Sequence, residues 1–207
     1  MDDFLTIFTN FKNILCVCPK CNALPRLSEL QIFSTKKAPK DWMDDWQQRM
    51  NNLAEKIVSS NRSDSLNKKV IELKIVDDSS SDTKKMVDGS DLVVIATPLS
   101  SYEDVISKIK NSLKNGVILT DVGSVKGNVI NLIEKNISES ISWIPSHPIA
   151  GTEESGPDAG FSELFQNRWC ILTPSKKAKE KDVKLLETFW NKIEIKLNYE
   201  KSHFERL

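Results

Sequence analysis

The sequence predicts an α/β layer fold on a mostly parallel sheet, and three observations carry that expectation. From residue 67 onward, short apolar runs alternate with segments of helical period. Two of the runs, residues 91–98 (DLVVIATP) and 116–122 (GVILTDV), are apolar without alternation, as strands buried on both faces are. The glycines, prolines and a lone histidine collect in the segments that follow strand ends, where ligands bind in open parallel sheets.

Taken in order, VIELKIVD (residues 70–77) reads as the end of a helix leading into a strand. The run 91–98 is a central strand closed by Pro98. Residues 100–113 form a helix with Val105, Ile106, Ile109 and Leu113 on one face. The second buried strand, 116–122, breaks at Gly123-Ser124. A short helix over 126–135 follows through Val129, Ile130 and Ile133. Strands are expected at 142–145, 169–173 and 194–197. A helix between the last two, 183–193, aligns Val183, Leu186, Trp190 and Ile193.

The stretch HPIAGTEESGPDAGF (residues 147–161) is the most informative segment. His147 stands between Pro145 and Pro148 and is followed by Gly151, Gly156 and Gly160. This reads as a fixed loop whose backbone passes close to a ligand, with one imidazole presented to it. Histidine titrates near neutrality, which suits it to acid/base work. Thr97-Pro98, Gly123-Ser124 and the His147 loop all follow strand ends, so three candidate site elements converge on one edge of the sheet.

At these residues the chain resembles the prephenate and arogenate dehydrogenases of tyrosine biosynthesis. The motifs are DLVVIATP (91–98), TDVGSVK (120–126) and HPIAGTEESGPDAGFSELFQNRWCILTP (147–174), and the resemblance covers residues 67–207. It implies a Rossmann-like doubly wound sheet and an oxidoreductase that transfers hydride from the ring carbon of prephenate or arogenate to NAD or NADP. The ring carboxylate leaves as carbon dioxide and the ring becomes aromatic. The resemblance makes His147 the proton acceptor for the ring hydroxyl, with activity falling on acidification. It makes Ser124 an orienting residue for His147 or the nicotinamide; Ser124 also reads as a helix N-cap. Ala96, Thr97, Pro98, Val122 and Ser124 would line the cofactor, and Gly151, Thr152 and Glu153 the substrate. Glu153 and Glu154 read equally as a solvated acidic pair. A homodimer is implied as well, made by a C-terminal helical domain in the family.

Two departures from the pattern shape the expected organisation. Dinucleotide folds open with a strand and a G-x-G-x-x-G turn, yet no glycine precedes Gly89. The expectation is therefore an incomplete sheet, lacking its first strand, glycine turn and ribose-binding acid, and preceded by an unrelated segment over 1–62. The partial dinucleotide domain would occupy 63–197, and 198–207 would begin a truncated helical region, leaving the competence of this chain open. Polar stretches at 59–67 (SSNRSDSLN) and 77–82 (DDSSSD) read as a boundary linker and a turn.

The first 62 residues carry readings of their own. Cys16, Cys18 and Cys21 form C-x-C-P-x-C, half of a zinc-ribbon pattern or three reduced thiols in a strand and turn at 14–18. Only Cys170 and His203 could add ligands, and no metal site is expected. A helix is predicted after Pro39, anchored by Trp42, Trp46 and Leu53. The stretch 18–42 has a faint likeness to predicted endonucleases related to Holliday-junction resolvases. That likeness, with E-x-K at Glu72-Leu73-Lys74, supplies the alternative of a metal-dependent nuclease; a third reading is a non-catalytic remnant. Balanced charge (29 Lys and Arg, 29 Asp and Glu) counts against a nucleic-acid partner. Membrane-length apolar runs and a secretory leader are not recognisable, and four cysteines with three clustered fit reduced thiols, so a cytoplasmic location is expected.

Overall fold

The computed structural model describes residues 54–150, 164–193 and 195–199, together with the backbone course of 13–18. In chain order the elements are β1 (Asn13–Cys18), β2 (Lys56–Asn61), α1 (Asp64–Glu72), β3 (Asp78–Ser79), α2 (Thr83–Val87) and β4 (Leu92–Ile95). A 3₁₀ turn (Leu99–Ser101) then runs into α3 (Tyr102–Ile109), followed by β5 (Ile118–Asp121), α4 (Gly127–Asn136), β6 (Ser142–Trp143) and β7 (Ser146–Pro148). β8 (Trp169–Leu172), α5 (Glu180–Lys192) and β9 (Lys196–Tyr199) complete the described chain.

Six strands form one sheet in the order β3-β2-β1-β4-β5-β6, and every neighbouring pair is parallel. The chain winds outward from β1 to β3, returns to the middle at β4, and winds out the other way. That reversal between β1 and β4 opens a crevice at the carboxyl ends of the strands, the position where doubly wound sheets bind ligands. A second sheet, β7-β8-β9, pairs β7 antiparallel and β9 parallel to β8.

Alternation along the central strands sorts side chains to two faces. Leu92, Val94 and Ile118 join Val70 of α1 and Leu186, Phe189 and Trp190 of α5 in one core cluster. Val93, Ile95 and Leu119 join Met86 of α2, Val105, Ile106 and Ile109 of α3, and Val129 and Ile133 of α4 in the other. Each such Leu, Ile or Val contributes about 1.5–3 kcal/mol of transfer free energy, so the unbroken apolar strands are stable only with helices on both faces.

Several expectations are corrected here. The first strand is present: β1 pairs with both β2 and β4, so the sheet takes two strands from the segment expected to be unrelated. The polar stretch 59–67 is the end of β2 and the start of α1, because Asn61 and Asn67 satisfy each other's amides internally: Asn61 Nδ2 donates to Asn67 Oδ1 (3.0 Å) and Asn67 Nδ2 to Asn61 O (3.0 Å). Likewise β3 lies inside the expected turn 77–82, its Ser79 hydroxyl bonded to that of Ser59 at 2.7 Å. The helix expected over 100–113 ends earlier, at Ile109, and the last strand lies slightly later, at Lys196–Tyr199.

The strand expected over 142–145 shortens to β6, and a separate strand, β7, begins at Ser146, which puts His147 on a strand rather than in a loop. Bonds from Thr173 N to Pro145 O (3.0 Å) and from Ile149 N to Trp169 O (2.6 Å) flank it. Pro148 thus falls at a register position facing away from β8, where its missing N–H costs no ladder bond. Ser124 does not cap α4, whose N-cap is Lys126 with no side-chain bond. The helix expected after Pro39, Cys21 and His203 lie outside the described residues. Glu72-Leu73-Lys74 closes α1 instead of lying on a strand, with Lys74 at φ 53°. Among the described residues no helix is long and apolar enough to cross a membrane.

Candidate functional site

The site grows from the carboxyl end of β5. Asp121, its last residue, is fully buried, and its carboxylate collects five hydrogen bonds. Lys126 Nζ donates to both oxygens at 2.7 Å, the Tyr102 hydroxyl to Oδ2 at 2.9 Å, Gly123 N to Oδ2 at 3.2 Å and Ser146 N to Oδ1 at 3.2 Å. A buried carboxylate is tolerated only when paired and saturated with donors, which this one is. Burial pulls the Lys126 ammonium below the usual lysine range, and the Asp121 charge and hydrogen bond oppose it. Burial raises the Tyr102 phenol far above its ordinary value, with Asp121 adding to the effect, so the hydroxyl remains a donor.

This joint fixes the residue before His147. Lys126 Nζ also donates to Ser146 O at 2.6 Å, the Ser146 hydroxyl meets that of Thr120 at 2.7 Å, and Trp190 Nε1 donates to it at 3.3 Å. Ser146 is therefore held through its N–H, its carbonyl and its side chain. On the other side His147 is paired with Ile171 of β8. A backbone hydrogen bond from His147 to Cys170 lowers that thiol's pKa, but burial dominates and pushes it up to about 12. His147 itself is half-buried. Position and backbone direction are thus imposed on His147 by four elements: β5, the start of α3, the turn before α4, and α5.

The neighbouring elements come together at the same edge. Ile95 pairs with Asp121 across β4 and β5, and Val122 N donates to Ile95 O at 3.3 Å, which sets Ala96-Thr97-Pro98 beside Val122-Gly123-Ser124. Ala96 and Val122 belong to the core, so a ligand would meet them through their backbone. Thr97 is buried, Pro98 half-buried and Ser124 exposed. Gly151, Thr152 and Glu153 lie outside the described residues. Among the described residues there is no group of three or more His, Cys, Asp or Glu that could hold a metal ion.

Sequence reasoning missed Asp121, Lys126, Tyr102 and Ser146 as site residues. A signal was present for the first two: an acid and a lysine five apart across a glycine turn, inside an otherwise apolar strand-turn-helix, where an unpaired carboxylate would be very costly. Tyr102 and Ser146 had no such signal, since only the fold brings them to Asp121.

A cavity of about 460 Å³ opens at the carboxyl end of β2, lined by Ser60, Asn61 and Arg62, by Ser81, Asp82, Thr83 and Lys84, and by α3 through Asp104, Val105 and Lys108. Its volume suits a small-molecule or cofactor fragment.

Residues 47–199 match the family model described as prephenate dehydrogenase, nucleotide-binding domain. The chain is 37% identical over 126 residues to a cyclohexadienyl dehydrogenase from Zymomonas mobilis, a match that covers 61% of this chain and 43% of that protein. Among solved structures it is similar to prephenate dehydrogenase from Aquifex aeolicus in complex with hydroxyphenyl propionate and NAD+ (TM-score 0.70, 22% identity, covering 92% of this chain and 60% of that one). It is equally similar to the arogenate dehydrogenase of Synechocystis (TM-score 0.72, 20% identity, covering 91% and 59%). The chain thus spans less than half the length of the curated relative and about three fifths of the solved ones.

Proposed function

The chain belongs to the prephenate dehydrogenase family, matching its nucleotide-binding domain, and from that premise we propose that it takes part in the NAD(P)-dependent oxidative decarboxylation of prephenate or arogenate. The observation that carries the proposal is the Asp121–Lys126–Ser146 joint, which holds His147 at the carboxyl edge of the sheet beside Thr97-Pro98 and Gly123-Ser124. A dinucleotide fits the residues present. The strand order reverses between β1 and β4, and the cavity at the end of β2 lies one strand from that reversal on the same carboxyl edge.

NAD or NADP, when bound, supplies the hydride acceptor. His147 accepts the proton of the ring hydroxyl as that carbon loses hydride, so it works neutral, and activity falls as the medium is acidified. Ser124, Thr97 and Pro98 face the nicotinamide half, with the backbone of Ala96 and Val122 beneath them. Gly151, Thr152 and Glu153 meet the substrate. The ion pair next to Ser146 presents no net charge to the site, since the ammonium and carboxylate cancel. Aromatisation of the ring drives the reaction, which leaves the protein the tasks of positioning, of taking the hydroxyl proton as hydride leaves, and of returning it to the same oxygen as carbon dioxide departs and the phenol forms.

The test is calorimetric titration of the full chain with each dinucleotide, followed by turnover with prephenate and with arogenate. Saturable binding and reduction of the dinucleotide are expected, and His147→Asn should lower kcat about 10²–10⁴-fold with dinucleotide binding retained. A folded chain that binds neither dinucleotide refutes the proposal. The nuclease reading loses its support, since Glu72 and Lys74 flank the end of a helix.

A further inference from the structure

We propose that the cavity at the carboxyl end of β2 receives the 2′-phosphate of NADP, with Arg62 selecting NADP over NAD; this rests on the dehydrogenase reading above. In doubly wound dinucleotide folds, NAD is held by a carboxylate near the end of the second strand that accepts from the ribose 2′-hydroxyl, and an arginine there admits the 2′-phosphate instead. Here β2 ends Ser59-Ser60-Asn61 and continues Arg62-Ser63, with no acid at the strand end.

Asn61 cannot easily take the carboxylate's place. It is buried, and its Nδ2 donates to Asn67 Oδ1 (3.0 Å), Ser59 Oγ (3.3 Å) and Ser79 Oγ (3.4 Å), so its role is to fix the strand end. The chain then turns outward, and the exposed Arg62 becomes part of the cavity wall.

The charges around the cavity also favour an anion. Its acids are Asp82 and Asp104, and both are engaged. Asp104 pairs with Lys108 at 2.6 Å, and Asp82 Oδ1 accepts from Lys85 N at 3.2 Å to cap α2. Among the described residues Arg62 and Lys84 have no acidic partner, and they flank the hydroxyls of Ser60 and Thr83, which meet at 2.9 Å. A planar guanidinium presenting two parallel N–H bonds, with an ammonium and hydroxyls nearby, is the donor set a phosphate monoester calls for. A neutral ribose hydroxyl would leave both cations without a counter-charge.

The experiment compares binding of NADP and NAD to the full chain, with adenosine 2′,5′-bisphosphate and adenosine 5′-phosphate as competitors that lack the nicotinamide. The expected result is NADP tighter than NAD by about tenfold to a hundredfold, the size of one or two charge-assisted hydrogen bonds. The bisphosphate should compete better than the monophosphate, and both preferences should weaken with salt. Arg62→Ala should abolish most of the preference while NAD binding is retained; Arg62→Glu should reverse it; the Arg62 side chain is exposed, and circular dichroism checks the fold. Equal affinities, or an NAD preference, overturn the inference and leave the dehydrogenase reading standing. An Arg62-dependent preference for the bisphosphate in a chain that turns over neither dinucleotide supports the subsite and counts against the dehydrogenase reading. No binding of any of the four by a folded chain overturns both.

Discussion

At the scale of single residues, Asp121 and Lys126 carry the most consequence. Each is acceptable inside the protein only because of the other. Lys126→Met strands a buried carboxylate, and Asp121→Asn strands a buried ammonium already pulled below its usual pKa. Each single change should cost about 3–5 kcal/mol in urea unfolding, and the double variant should cost less than the sum. Additive losses would show that the two groups act separately. Cys170 gives a pH dependence with a definite sign. Its folded pKa lies near 12 against an ordinary 9.0, so the unfolded chain releases its proton first as pH rises. Stability should therefore decline from about pH 9 upward. Cys170→Ala should flatten part of that slope, and in the native protein Cys170 should resist alkylation that modifies it after unfolding.

At the scale of elements, the two turns that frame β5 depend on glycine for different reasons. Gly116 sits at φ +82° with open space around it, so an alanine there meets only the backbone penalty of a left-handed conformation, about 1–2 kcal/mol. Gly123 has little room: an added Cβ would lie 2.7 Å from the Tyr102 hydroxyl and 3.2 Å from Asp121 Oδ2. Gly123→Ala should displace Tyr102 from the carboxylate and lower activity more than its stability loss accounts for, whereas Gly116→Ala should lower stability alone. Thermal melts run beside turnover assays separate the two, and equal effects on both variants would contradict this account. The strand patterns themselves were legible, since 91–98 and 116–122 contain β4 and β5. Their ends were less so, because a parallel ladder stops where its neighbour stops.

At the scale of the whole molecule, the helix α5 connects the last part of the described chain to the site. Trp190 is almost fully buried, packs edge-on against Phe165 (6.3 Å) and Phe189 (5.1 Å), and donates to the Ser146 hydroxyl. Trp190→Ala should cost about 3–5 kcal/mol through the cavity it leaves. Trp190→Phe, which keeps most of the volume and loses the N–H, should cost far less stability but still loosen His147. A fall in kcat for Trp190→Phe without a matching fall in melting temperature checks this; unchanged turnover would remove Ser146 from the positioning chain.

The sequence by itself determined the fold class, the family resemblance, and the placement of Thr97 and Ser124 just past the ends of two buried strands, whereas His147 proved to lie within a strand of its own. Hydrophobic period and turn chemistry are local properties written in consecutive residues. Only the tertiary structure decided that residues 13–18 and 56–61 are strands of the same sheet. Glycine count had argued against a first strand, but strand pairing depends on register and burial across distant segments. The three-dimensional structure likewise decided that Asp121, Lys126, Tyr102 and Ser146 form one joint, and that Arg62 borders a cavity with Lys84. The bonds within that joint span up to 25 residues, and the one that ties Trp190 to it spans 44; a charge or hydroxyl gains its partner only when the packed sheet brings the two together.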